Sequence, residues 1–212
     1  MSSQTTGRFI TIEGTEGVGK STNIEFIEAF LKERGINLCL TREPGGTPLA
    51  EEIRELLLAP REETMCDDAE ILLVFAARAQ HINQVIRPKL EKGHWVLSDR
   101  FTDATFAYQG AGRGICWDRI QQLEAYVQGE LRPNLTLLLD MPVELGMERA
   151  KLRSAPDRFE QEKQAFFEKV RQGYHHRMRA EPDRFALIDA SQSLSNVQEQ
   201  IAAALEKHLG LV

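Results

Sequence analysis

Three cysteines, at positions 39, 66 and 116, are all that this chain contains. Odd in number, widely spaced and outside any metal-ligand pattern, they exclude a disulfide framework and a thiolate zinc site, and predict free thiols in a reducing compartment. No apolar run approaches the roughly 20 residues of a membrane span. The first eight residues, MSSQTTGR, lack the apolar stretch of a secretory signal. A soluble, cytoplasmic protein without a membrane partner is therefore expected. Basic residues are outnumbered, 26 Lys plus Arg against 32 Asp plus Glu, for a formal net charge of -6. That balance argues against a broad nucleic-acid surface and confines any anion site to a local cluster. Internal repeats, low-complexity tracts and composition breaks are also missing, so the 212 residues predict a single domain, 1–212.

What is present is an alternation of β-branched apolar runs with longer stretches of helical period, the pattern of a parallel sheet covered by helices. Strands are predicted at 8–13, 37–41, 95–99, 135–140 and 185–189, apolar enough to be buried on both faces. Ile24, Ile27 and Leu31 mark a helix ending before Gly35, and Val197, Ile201 and Leu205 mark another near the C-terminus. The longest helical stretch runs from Asp67 toward Lys92, where Pro88 should end or kink it. Shorter helices are expected at 49–58, at 117–129 and from Val143 to about Arg153. After a break at 154–156, a last long helix runs to about Ala180.

Residues 14–21, GTEGVGKS, match G-x-x-x-x-G-K-S with a strand before and a helix after, the full context of a phosphate-binding loop. In such a loop the backbone N–H groups of Gly14, Thr15, Glu16, Gly17, Val18 and Gly19 and the Lys20 ammonium hold the donor phosphates, with Ser21 and Thr22 opening the helix. The Ser21 hydroxyl is a candidate Mg²⁺ ligand. Glu16 is out of place there. At about 5 Å and an effective dielectric near 20, it would repel a phosphate charge by roughly 3 kcal/mol.

A nucleotide site alone fits a GTPase, a mechanical ATPase or a small-molecule kinase. The absence of N-K-x-D disfavours the first, and a second anion site would favour the last. Asp99-Arg100 ends the run WVLS at the carboxyl end of a strand, where open α/β sheets bind ligands. Asp99 suits Mg²⁺ and Arg100 suits a phosphate, the lesser alternative being a structural ion pair at the strand end. Phe75 and Arg78 are three apart on a helix, a flat ring and a planar donor that would suit a nucleobase, or simply core. Thr105, Tyr108 and Gln109 follow closely on the Asp-Arg pair.

Taken together, IEGTEGVGKST, TREPGGT at 41–47, FAARAQH at 75–81, SDRFTDATFAYQG at 98–110 and DRFE at 157–160 make the chain, from about residue 8 to 208, similar to bacterial thymidylate kinases. The resemblance implies a three-layer α/β/α P-loop fold with a five-stranded parallel sheet and a mobile lid, here about 149–160. It implies transfer of the γ-phosphoryl group of ATP to dTMP, with Mg²⁺, in a homodimer acting on small molecules rather than nucleic acid. Carried over by position, Phe75 would stack on thymine, Arg78 and Gln109 address its polar edge, and Thr105 line the base pocket. Arg54 and Arg100 would hold the acceptor phosphate, and Tyr108 would crowd the sugar 2′ position. Glu16 would turn from the donor phosphates to the acceptor's 3′-hydroxyl, unless it faces solvent or pairs with an arginine.

The attacking phosphate oxygen is already anionic near neutral pH, so no strong general base is needed; positioning and charge neutralisation carry the reaction. Lys20, Asp99 with Mg²⁺, and the lid arginines Arg153 and Arg149 are the expected agents, with Arg158 on the ATP side. The stretch 190–192 is expected to border adenine or to form an ordinary turn. Two further readings stay open: a kinase of another nucleoside monophosphate, and a P-loop regulator or mechanical ATPase.

Overall fold

The computed structural model describes residues 7–150, 158–159 and 161–210. Five strands, β1 (Phe9–Glu13), β2 (Leu38–Arg42), β3 (Trp95–Asp99), β4 (Leu135–Asp140) and β5 (Phe185–Asp189), form one all-parallel sheet in the order β2-β3-β1-β4-β5. Each begins or ends within about one residue of its predicted bounds, because a run of β-branched and aliphatic residues is long enough to cross a core only as a strand. Burial on both faces holds for β1 and for most of β4. It does not hold for β2 and β5, which form the edges of the sheet and are only partly covered.

Alternation along the strands sorts the side chains into two layers. Ile10 and Ile12 of β1 pair with Leu135 and Leu137 of β4, and all four pack under α1 (Lys20–Glu33) and α9 (Leu194–Leu209). Phe9 and Val96 point the other way and meet Ile82, Ile86 and Phe101. That second layer is built from α2 (Pro48–Leu58), α3 (Asp67–His81), α4 (Arg87–Glu91), α5 (Thr102–Thr105), α6 (Trp117–Gln128), α7 (Val143–Ala150) and α8 (Gln164–Ala180), in chain order.

The stretch predicted as one helix from Asp67 toward Lys92 is interrupted by a π turn at Ile82–Ile86. Pro88 has no N–H to give the preceding turn, so the ladder slips by one residue and α4 restarts with the proline in its first turn. A second π segment, Phe106–Gly112, continues α5. Sequence patterning assigned this region no element, since its two glycines and mixed polarity obscure any period. The segment matters because it carries Tyr108 and Gln109 to the carboxyl end of the sheet. There Arg42 of β2 is registered with Asp99 of β3, and Ile12 of β1 with the same Asp99. The loops after these three strands therefore converge beside β1, where the strand order reverses.

Candidate active site

The loop from Gly14 to Gly19 connects β1 to α1. Gly19, at φ +88°, leads into a helix with no side-chain cap and no acid in its first turn, whereas α2 is capped by Thr47 and α9 by Ser193. The leading N–H groups of α1 are thus left to an external acceptor, the physical basis of an anion site. Lys20 is buried and folds back over the loop, donating to the carbonyls of Gly14 (3.3 Å) and Thr15 (3.1 Å). Thr15 and Val18 are buried, Val18 within the sheet core, while Ser21 and Thr22 are exposed; of these last two, Ser21 lines the cleft. Gly17 rests on α7: a Cβ there would lie 1.9 Å from the Gly146 carbonyl oxygen. No other residue fits that position on this backbone, and a side chain of arginine's size is excluded with it.

Glu16 lies on the far side of the loop. Its Oε1 accepts from Arg100 Nη2 (2.5 Å) and from the Tyr108 hydroxyl (2.9 Å). Burial would lift this carboxyl, but Arg100, Lys20, the Tyr108 hydroxyl and Arg54 outweigh it and hold it at about 2. The charge that looked misplaced in the loop is therefore ionised at neutral pH and neutralised by the cation that follows β3. Arg100 is itself the only non-glycine residue at positive φ among those described (φ +69°), a conformation that costs roughly 1–2 kcal/mol. Its backbone N–H donates to Ile12 O (3.0 Å), and Nη1 donates to Gly14 O (2.9 Å) and to the Tyr174 hydroxyl (3.0 Å).

Glu13 sustains that strained turn from below. Fully buried, it accepts from the Phe101 N–H through Oε1 (2.7 Å) and from the Tyr174 hydroxyl through Oε2 (2.8 Å). Burial first, and the charge of Asp103 second, raise its carboxyl to about 8, with Arg100 opposing. The folded state therefore holds this proton where the unfolded chain, near 4.5, has lost it. The associated stability is complete below pH 4.5 and disappears as pH rises through 8, a loss of about 3 kcal/mol between pH 5 and 8. Glu16 does not offset this, since its own contribution is lost only as pH falls toward 2. We expect Glu13→Gln, which copies the protonated carboxyl, to match the wild type in urea melts at pH 5 and to exceed it at pH 8. Parallel pH curves for the two proteins would refute this.

The opposite wall of the cleft comes from α2, α3 and α5 with its π extension. Arg78 is buried and donates through Nε to Glu43 Oε2 (2.7 Å) and through Nη2 to Thr105 Oγ1 (2.9 Å). Glu43 is in turn paired through Oε1 with His81 Nδ1 (2.9 Å), whose Nε2 lies 2.6 Å from Thr41 Oγ1. Arg54 projects from α2, donates to Pro44 O (2.9 Å) and lines the same cleft as Arg78, Arg100, Thr105, Tyr108 and Gln109. Phe75 does not line it. The ring is 2 % exposed, packs with Ile71, Phe106 and Ile120, and lies 4.8 Å from the Arg78 guanidinium carbon. Its neighbour Val74 faces the cleft instead. Spacing put Phe75 and Arg78 on one helical face, and the structure shows that face turned mainly into the core.

Asp99 Oδ1 is buried with no hydrogen-bond partner among the described residues, and Ser21 lines the same cleft. An orphaned carboxylate oxygen and a hydroxyl beside a phosphate loop are a donor set that fits Mg²⁺. No group of three Asp, Glu, His or Cys side chains that could hold a metal ion is found among the described residues, so a metal here would take few protein ligands.

The lid expected at 149–160 lies mostly outside the described residues, Arg153 with it. Arg149 lies in the last turn of α7 and donates to Ala190 O (3.3 Å), which ties it to the stretch 190–192 after β5. Arg158, expected on the ATP side, is anchored to α2 and α3. Its Nε donates to Leu57 O (2.7 Å) and its Nη1 pairs with Glu70 (2.7 Å). Sequence reasoning also missed Glu13, Glu43, Glu70 and Tyr174. The first two sit inside quoted motifs and could have been singled out there; Glu70 and Tyr174 are ordinary helical residues whose sequence carries no such signal.

Known proteins are similar to this chain over most of its length. A family model described as thymidylate kinase matches residues 12–201. The chain is 61% identical over 204 residues to the thymidylate kinase of Teredinibacter turnerae, covering 96% of this chain and all of the relative. It is 63% identical over 197 residues to that of Pseudomonas putida, covering 93% and 95%. Its fold is similar to the crystal structure of thymidylate kinase from Ehrlichia chaffeensis, with a TM-score of 0.76 and 31% identity over 94% of this chain and 98% of that one.

Proposed function

The chain belongs to the thymidylate kinase family, and from that premise we infer that it transfers the γ-phosphoryl group of ATP to dTMP, giving dTDP and ADP for dTTP synthesis. One observation carries this reading beyond nucleotide binding. Across Glu16 from the Lys20 loop, Arg54, Arg78 and Arg100 line the same cleft, so two anionic ligands can be held tail to tail.

The donor phosphates would bind the N–H groups from Gly14 to Thr22 and Lys20, and the acceptor phosphate Arg54 and Arg100. Glu16 orients Arg100 and, with Tyr108, meets the sugar. Arg78, Gln109 and Thr105 would read the base. Phe75 supports it through Arg78, and direct stacking on thymine would require the ring to turn toward the cleft. Ser21 and Asp99 would hold Mg²⁺, which supplies charge neutralisation at the transferred phosphate when bound. Arg149, held to Ala190 O, would act after Arg153 as a lid cation for the transferring phosphoryl group. Arg153 remains assigned by the family resemblance to the transferring phosphoryl group, as does a mobile lid. We assign residues 1–212 to one kinase domain acting in the cytoplasm on small molecules, without nucleic-acid or membrane partners. No described helix is long and apolar enough to cross a membrane. A homodimer would cover the exposed Leu49 and Leu56 of α2 and Leu72 of α3.

The test is coupled ADP release with dTMP, dUMP, UMP, CMP and AMP in turn, with and without Mg²⁺. The highest kcat/KM is expected for dTMP, with Mg²⁺ required. ATP turnover indifferent to every monophosphate would overturn the assignment. Light scattering on the same preparation should give twice the chain mass of 24.0 kDa, and a monomer mass would remove the dimer.

A further inference from the structure

Glu70 enters none of these roles, yet it is 1 % exposed and occupies a junction. Its Oε1 accepts from Gln109 Nε2 (2.9 Å) and from Arg113 Nε (3.4 Å), and its Oε2 is paired with Arg158 Nη1 (2.7 Å). A carboxylate between two guanidiniums can only accept hydrogen bonds. An amide can either donate or accept, and which of its ends faces a ligand is decided by its other partners. Gln109 therefore commits its NH₂ group to Glu70, and its carbonyl oxygen is the end left for the cleft that Gln109 lines.

The neighbouring donor is set by the same logic. Arg78 commits Nε to Glu43 and Nη2 to Thr105, while Nη1 is buried with no hydrogen-bond partner among the described residues. The cleft lining thus includes an uncommitted acceptor, Gln109 Oε1, and an uncommitted donor, Arg78 Nη1. A pyrimidine with a protonated N3 and a carbonyl at C4 presents the complementary pair. A pyrimidine with a bare N3 and an amino group at C4 presents the reverse, setting acceptor against acceptor and donor against donor out of reach of water.

We propose that Glu70 is a positioning residue for base specificity: by locking the Gln109 amide it makes the cleft accept thymine-type and reject cytosine-type monophosphates. The inference rests on the reading of the protein as a dTMP kinase. A site whose hydrogen-bonding groups are buried can discriminate by about 10⁴–10⁵ against a ligand that leaves them unpaired, provided their orientation is fixed. In Glu70→Gln the new amide can donate to Gln109 Oε1, so the Gln109 side chain is free to turn over and present NH₂ to the base.

The experiment measures kcat/KM for dTMP and dCMP in the wild type, Glu70→Gln and Glu70→Asp, with folding checked by thermal melts. For Glu70→Gln the dTMP-to-dCMP ratio should fall about tenfold or more, the KM for ATP changing by less than about twofold. Glu70→Asp keeps an acceptor-only partner and should hold the wild-type ratio even where its rate drops. A folded Glu70→Gln protein with an unchanged ratio overturns the proposal. If that variant does not fold, ¹⁵N spectra of the wild type decide. The Gln109 NH₂ protons should exchange slowly before dTMP is added and shift little afterwards. Protection that arises only with dTMP would show the amino end facing the base, and the proposal would fail. A wild type inactive on dTMP would defeat the functional reading instead, while the spectra would still report the amide's orientation.

Discussion

Arg100→Ala should lower kcat/KM for dTMP by about 10²–10⁴-fold while leaving the KM for ATP nearly unchanged. A guanidinium that binds a phosphate through two charge-assisted hydrogen bonds contributes roughly 1.5–3 kcal/mol for each, which converts to that range. The donor loop keeps its own N–H groups and Lys20, so ATP binding has little reason to change. Stability should fall too. Glu16 is 24% exposed at its side chain and paired at 2.5 Å; without Arg100 it becomes a poorly solvated carboxylate with only Lys20, Arg54 and the Tyr108 hydroxyl to hold its charge. Breaking a fully buried pair costs about 3–5 kcal/mol, and partial exposure puts this one near 2–3. Burial, the largest influence on Glu16, would then push its carboxyl upward, so the variant's pH profile should gain an acid limb closer to neutral pH than any in the wild type. The double variant Glu16→Ala/Arg100→Ala should regain most of the stability and little of the activity. Equal losses toward ATP and dTMP, or a double variant no more stable than the single one, would falsify the placement of this pair.

Replacing Lys20 by methionine should separate activity from stability in the opposite sense. Loss of a preorganised cation at the transferred phosphate costs about 10²–10³ in kcat, and the KM for dTMP should stay close to the wild-type value because Lys20 belongs to the donor loop. The fold should be as stable as the wild type or more so. Burial, and next the charge of Arg100, lower the Lys20 ammonium, against the pull of Glu16, Asp99 and Glu13, so the protonated side chain is held at net cost. An isosteric apolar chain removes that cost, a common sign at sites kept for function. A variant that melts well below the wild type, or that retains full kcat, would contradict this account of the loop.

How far the residues alone disclosed this site differs from element to element. The strands, the phosphate loop and the run from Asp99 to Gln109 announce themselves locally, since apolar runs, glycine spacing and charge order all act over a few residues. The break before Pro88 was foreseen and its form was not: a missing N–H predicts an interruption, while a π turn is one of several ways to absorb it. Phe75 was placed on the correct helical face, but periodicity does not tell which layer that face meets. Arg158 was assigned to the ATP side, whereas it pairs with Glu70 and Leu57, partners separated from it by 88 and 101 positions.

The chemistry of the loop, the kinds of cation available and the sheet that carries them follow from residue identity and spacing, because hydrogen-bonding capacity and backbone period are properties of short segments. Which groups face one another follows from the folded chain. Tyr174 reaches Glu13 across 161 positions, and Glu16 meets Arg100 across 84. Those encounters set the proton on Glu13, the charge on Glu16 and the direction of the Gln109 amide, since electrostatic and hydrogen-bond energies depend on distance and burial in space.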